Sequence, residues 1–197
     1  MSENSFTMDA HVFRDMLVGG IVATGKDKFL PVLTGLYFEW SEGEPVRVVS
    51  TDRYRLVIGE SQINGVGSGE FLLSRDYATE LVKVLPKKIS GNVIVTLDPE
   101  GKHVTIAHHG YAGLSTREYV LIVGEFPKYR ALIPKEYGSV GKINFNTKFL
   151  ADIDKIPHDP KVPVSLNFVT ENKPMVATYP EYNTITWSYM LMPVRLV

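Results

Sequence analysis

Apolar positions recur at helical spacing in three places along the chain. After Asp9 the residues Val12, Phe13, Met16, Leu17 and Ile21 share one face. After Ser74 the face is Tyr77, Ala78, Leu81, Val82 and Leu85, and after Asn146 it is Phe149, Leu150 and Ile153. Asp, Ser and Asn are good first caps, because their side chains accept a hydrogen bond from a free N–H of the first turn. Pro86 and Pro157 are placed to stop the second and third helices. A short apolar tetrad carries each cap: "FTMD" at Phe6–Asp9, "FLLS" at Phe71–Ser74 and "INFN" at Ile143–Asn146.

Strand-like runs follow each helix. The first set is "TGLYFEW", "PVRVVST" and "RYRLVIGE", with "SEGEP" as a hairpin signal between the first two. The second is "NVIVTLD", "KHVTIAHH" and "AGLSTREYVL", with "PEG" dividing the first pair. The third is "VPVSLNFV", "PMVATY" and "TITWSYMLM", separated by the turns "TENK" and "PEYN". The chain therefore reads as strand–helix–three strands, repeated three times with a period of roughly 65–70 residues. "INGVGSGEF" and "KEYGSVGKI" read as flexible connections between the copies. One such unit buries little apolar area alone, so units are expected to pair and share a core.

Composition narrows the chemistry. The 197 residues are 44% hydrophobic and 22% charged, an ordinary globular balance. With no cysteine there is no disulfide framework, thiolate metal site or cysteine nucleophile. The net charge is −1, so a polyanion partner needs a local basic face. No apolar run reaches the roughly 18 residues that span a bilayer, and "MSENSFTMDA" does not read as a secretory leader. Gly65, Gly67 and Gly69 precede a strand-like run, so they read as linker rather than phosphate loop. His108 and His109 are adjacent on a strand and point to opposite faces, which suits a strand end better than a metal. His11, His103 and His158 are scattered, and Ser115 and Asp52 belong to no nucleophile arrangement. No enzyme, metal or cofactor is expected. The apolar end, "YMLMPVRLV", reads either as a final core strand or as a binding surface.

Three motifs carry a resemblance. "LPVLTGLYFEW" leads to "VVSTDRYRLVIGE", "GEFPKYRALIPKE" closes the second unit, and "YMLMPVRL" closes the third. Together and in this order they resemble the beta sliding clamp of bacterial DNA polymerase III. The resemblance implies an α+β DNA-clamp fold, with helices on one side of antiparallel sheets. It implies no enzymatic activity and a cytoplasmic place of work, in a bacterial or phage-infected cell. Residues 1–137 resemble the middle domain of a bacterial clamp, and residues 138–197 the second half of its last domain.

The resemblance also implies sites. A hydrophobic pocket for short peptides of polymerases and clamp loaders maps onto Leu33, Thr51, Arg53, Tyr54, Arg55, Leu56, Pro127, Leu132, Asn146 and Phe149. It continues in the tail as Met190, Leu191, Met192, Pro193, Val194 and Arg195. Leu and Met can desolvate a partner's apolar side chain, Arg55 and Arg195 can bond its carboxylate or carbonyl, and Pro193 frees backbone for a ligand. Arg53 and Tyr54 stand where the family more often has small residues or His. Duplex DNA would be met through its phosphates by Arg14, Lys26, Lys28, Arg75, Lys83, Lys148 and Lys155, each of which is singly also an ordinary solvated helix charge. A bacterial ring holds about twelve such units, so three per chain favours a homo-tetrameric ring. The alternative expectation is a truncated, clamp-like module that binds the same peptides without encircling DNA.

Overall fold

The computed structural model describes residues 4–85, 87–110 and 113–194. The first unit runs β1 (Ser5–Asp9), α1 (Ala10–Ile21), β2 (Gly35–Ser41), β3 (Val46–Thr51) and β4 (Arg55–Ser61). After a three-residue strand β5 (Asn64–Val66), the second runs β6 (Ser68–Ser74), α2 (Arg75–Val84), β7 (Asn92–Leu97), β8 (His103–Gly110) and β9 (Gly113–Val120). The third contains α3 (Thr147–Leu150), β10 (Ser165–Asn167), β11 (Met175–Thr178) and β12 (Ile185–Leu191).

The caps act as the sequence predicts. Asp9 accepts from the backbone N–H groups of His11 (2.7 Å) and Val12 (3.3 Å), Ser74 Oγ from Tyr77 (3.2 Å), and Asn146 Oδ1 from Lys148 (3.0 Å). Pro86, read as the second helix stop, lies outside the described residues.

All strand pairs are antiparallel, in two sheets of order β5-β1-β7-β8-β9 and β10-β11-β12-β4-β3-β2-β6. The first two units exchange their opening strands: β1 joins β7 and β6 joins β2. That exchange merges their cores, so Phe6 of β1 and Phe71 of β6 both pack against Trp40 of β2. The helices cover one face of the sheets, with α1 against α2 and against β2, β3 and β4.

The third unit departs from the repeat in two ways. Ile143–Asn146 forms no strand, although its counterparts are β1 and β6. Those strands are held by a neighbouring unit's ladder, and among the described residues no strand pairs with this segment of the third unit. Its helix gives way after one turn to a 3-10 segment, Ala151–Lys155. Two tyrosines take carbonyls there: Tyr189 donates to Phe149 O (2.7 Å) and Tyr179 to Ile153 O (2.9 Å). The two phenols tie this turn to β12 and to the end of β11.

The third unit is welded to the first. β12 pairs with β4 over the whole of Ile185–Leu191, so one sheet crosses from one unit into the other. Trp187 faces Gly59 across that seam, and its ring lies over the glycine. A Cβ at Gly59 would come within 2.4 Å of the indole, and one at Gly19 of α1 within 2.3 Å. The indole thus fills a slot that only two hydrogens leave open. Trp40 repeats the device on Gly69, its partner across β2 and β6, where a Cβ would lie 2.3 Å from the ring. Gly65 and Gly69 are therefore strand residues, Gly65 in the short β5 and Gly69 in β6, and not the linker the sequence suggested. Glycine is needed in β6 because an aromatic ring lies flat on the backbone.

Trp187→Ala is expected to cost about 3–5 kcal/mol, and Gly59→Ala about 1–3 kcal/mol by overpacking. Urea unfolding monitored by circular dichroism measures both; an unchanged midpoint for Gly59→Ala would show that the indole is not held there.

Candidate functional site

The outer face of the seven-stranded sheet, opposite the helices, carries a second, smaller core. Val49, Leu56, Ile58, Leu72, Phe126, Tyr129, Val176 and Met190 form it. The segment after β9 covers this face. Phe126 stacks on Tyr37 with ring centroids 4.8 Å apart, and the Tyr129 hydroxyl donates to Glu39, which also pairs with Arg130. These anchors carry Ala131 and Leu132 to the β4–β12 seam.

A cleft of about 360 Å³ opens at that seam. Its floor is a cross-strand pair, Leu56 of β4 facing Met190 of β12, both 3% exposed. Leu132 and Met192 rise beside it, 57% and 42% exposed, and are large apolar side chains left to solvent. Asn172, Lys173 and Pro174, from the turn between β10 and β11, form the third side.

The remaining side is the turn from Thr51 to Arg55, wired by its own side chains. Asp52 Oδ1 accepts from the backbone N–H of Tyr54 (3.0 Å) and Arg55 (2.9 Å). The Thr51 hydroxyl donates to Arg55 O (2.7 Å) and accepts from Arg53 N–H (3.2 Å). Arg53 is held at φ 77°, in the left-handed region that a non-glycine residue rarely occupies. Met192 N–H donates to Tyr54 O (2.9 Å), tying the tail to the same turn.

Arg55 points under this turn into the junction of the units. Its guanidinium donates to Asp52 Oδ2 from Nε (3.0 Å) and Nη2 (2.7 Å), pairs with Asp152 through Nη1, and lies 4.3 Å from the ring centroid of Phe149. Asp152 also holds Lys155 at 2.6 Å. Burial lowers the Arg55 pKa, but the hydrogen bond and charge of Asp52, together with Tyr189 and Asp152 nearby, outweigh it, so it lies above the ordinary arginine value. Burial also pushes the Tyr189 phenol up, so its hydroxyl remains a donor to Phe149.

Of the sixteen residues assigned to the pocket from sequence, the structure gathers Thr51, Arg53, Tyr54, Arg55, Leu56, Leu132, Met190 and Met192 around this cleft. Leu191 faces the main core at 0% exposure. Leu33 and Phe149 line a different cleft on the helix side, Pro127 sits beside Tyr37 and Phe126, and Asn146 is the cap of α3. Pro193 follows β12, the exposed Val194 donates to Asn144 O (2.7 Å), and Arg195 lies outside the described residues. Ala131 and the Asn172–Pro174 turn were missed, since nothing in "TENKP" signals more than a hairpin.

The helix-side cleft, about 930 Å³, lies between the end of α1, the outer side of the Thr51–Arg55 turn and α3. Lys26, Arg53, Arg75, Lys148 and Lys155 line it, with Asp27, Asp52 and Asp152 among them. Lys28 and Lys83 are exposed elsewhere. Arg14 is mostly covered: its Nε donates to Leu85 O (2.7 Å) and its side chain is 12% exposed. Among the described residues no group of three or more His, Asp or Glu could hold a metal ion, and no helix is long and apolar enough to cross a membrane.

The family model for the DNA polymerase III beta subunit, central domain, matches residues 7–128. The chain belongs to the DNA polymerase III beta subunit family. The beta sliding clamp of Streptomyces coelicolor is 30% identical over 174 residues, covering 85% of this chain and 45% of the relative. That of Micrococcus luteus is 32% identical over 132 residues, covering 66% of this chain and 40% of the relative. The chain spans about half the length of the curated relatives it matches, and the matched segments cover 45% and 40% of them. The solved Thermotoga maritima beta subunit superposes with a TM-score of 0.83 at 21% identity, covering all of this chain and 67% of that one. A Pseudomonas aeruginosa clamp bound to griselimycin gives 0.78 at 18% identity, covering all of this chain and 66% of that one. The beta-subunit fold is therefore retained across a chain with three units.

Removing Arg55 strips Asp52 of its cation and leaves Asp152 with Lys155 alone. Arg55→Ala is expected to cost about 3–5 kcal/mol. The double variant Arg55→Ala/Asp152→Ala should lose less than the sum of the two single losses in urea unfolding. Strict additivity would mean that the pair does not join the units.

Proposed function

We propose that this chain is the protomer of a DNA sliding clamp, a non-catalytic processivity factor that encircles duplex DNA and docks replication proteins by short peptides. The observation that carries the reading is the cleft on the β4–β12 seam, in a chain of the beta-subunit family. Leu56, Met190, Leu132 and Met192 offer a partner's leucine or aromatic side chain a desolvated seat, and flexible methionines accommodate more than one shape. Arg53 and Lys173 at the margin suit a peptide carrying carboxylates. Polymerase and clamp-loader peptides are the partners of this pocket.

DNA would pass on the helix side. Lys26, Arg75, Lys148 and Lys155 converge on one cleft there, and contacts to phosphates alone leave the duplex free to slide. The ring is a homo-oligomer, with four chains supplying about twelve units. It would act where replication occurs, in the cytoplasm of a bacterial or phage-infected cell.

The second reading is a module that binds clamp-binding peptides through the same cleft without enclosing DNA. Two measurements separate them. A fluorescent polymerase-derived peptide should bind, and Leu132→Asp or Met192→Asp should weaken it at least about tenfold, or 1.4 kcal/mol, with little change in melting temperature because both side chains are exposed. Unchanged affinity in both variants would remove the pocket. After loading, the protein should stay on nicked circular DNA and run off the linearised molecule. Equal loss from both leaves only the peptide-binding module.

A further inference from the structure

The three units do not leave equivalent edges. The ladders place β6, β7, β8 and β9 in the second unit where β1, β2, β3 and β4 stand in the first. β4 is thus the last strand of the first unit, β9 of the second and β12 of the third. The seam joins two last strands, β4 to β12, antiparallel from Arg55↔Leu191 to Ser61↔Ile185. Such a pairing of like with like relates the two units by an approximate two-fold axis through the sheet.

β9 has no such partner. Among the described residues it pairs with β8 alone and ends its sheet. It is eight residues long, and every one except Tyr119 is exposed, Leu114 by 62% and Val120 by 58%. An edge strand of this length without proline is an open template for another chain. The Arg117 charge is already paired with Glu80 of α2, and Glu118 adds the opposite sign, so the edge carries no run of one sign toward a second copy.

Resting on the clamp reading, we infer that β9 is a self-pairing edge: it joins β9 of a second copy about a two-fold axis, as an isologous junction. Among the described residues two of the three last strands pair with each other, and another β9 offers β9 the same like-with-like junction. A ring of such chains cannot run head to tail. It alternates orientation, with β9 meeting β9 at one end and the third unit meeting another third unit at the other. Four chains then close with dihedral symmetry. The third-unit contact would also supply the mate that Ile143–Asn146 lacks.

An antiparallel pair on a two-fold axis through the sheet brings one residue opposite its own copy, near the strand centre at Thr116 or Arg117. The protein has no cysteine, so single substitutions report cleanly. In a scan of Ser115→Cys, Thr116→Cys, Arg117→Cys and Glu118→Cys, mild oxidation should convert one central variant to a covalent dimer on a denaturing gel. Its neighbours should cross-link far less, and light scattering should give the mass of an oligomer. An oligomer that no single variant cross-links overturns the inference and leaves the ring. So does a covalent band that forms only when a β9 cysteine is mixed with Leu166→Cys of β10, which would mark head-to-tail assembly. A monomer at all micromolar concentrations removes the ring reading itself, and this inference with it.

Discussion

The β4–β12 ladder is the constraint on which the rest of the structure depends. It makes one seven-stranded sheet from two units that are far apart in sequence, and Trp187 fixes its register from the core side. The indole needs bare backbone at both Gly59 and Gly19, so sliding the strand by even one residue would drive it into a Cβ or out to solvent. On the other face the same register sets Met190 against Leu56. One alignment thus seals the core and lays the floor of the outer cleft.

Polar contacts guard the seam at its end. The Thr51–Arg55 turn satisfies its own N–H groups through Thr51 and Asp52, which leaves the Arg55 guanidinium to reach across to Asp152 and Phe149. A threonine–aspartate pair here is therefore a shaping device. It presents Arg53 and Tyr54 at the rim, and it holds Arg55 where a buried charge has two carboxylates and an aromatic face.

The repeat was legible because its signals are local. Caps at Asp9, Ser74 and Asn146 and the apolar faces after them need only the first turn to work. What the sequence concealed depends on partners distant in the chain. Gly69 looks like a linker residue until Trp40 is seen lying on it, and Ile143–Asn146 looks like a strand until its missing mate is noticed. The cleft divides along the same line. Leu56, Met190 and Met192 sit on strands or their ends, whose alternation separates them from Leu191, but alternation alone did not say which face was outward. The Asn172–Pro174 side enters only through the docking of the third unit.

A cleft floored by one residue from each side of a join has a mechanical corollary. Any ligand seated on Leu56 and Met190 together acts as a splint, since it grips both halves only while they are aligned. By mass action its occupancy and the integrity of the join reinforce each other, in proportion to the logarithm of ligand concentration over its dissociation constant. A docked client would therefore brace the very body it rides on, and a vacant one would be the easier to prise apart.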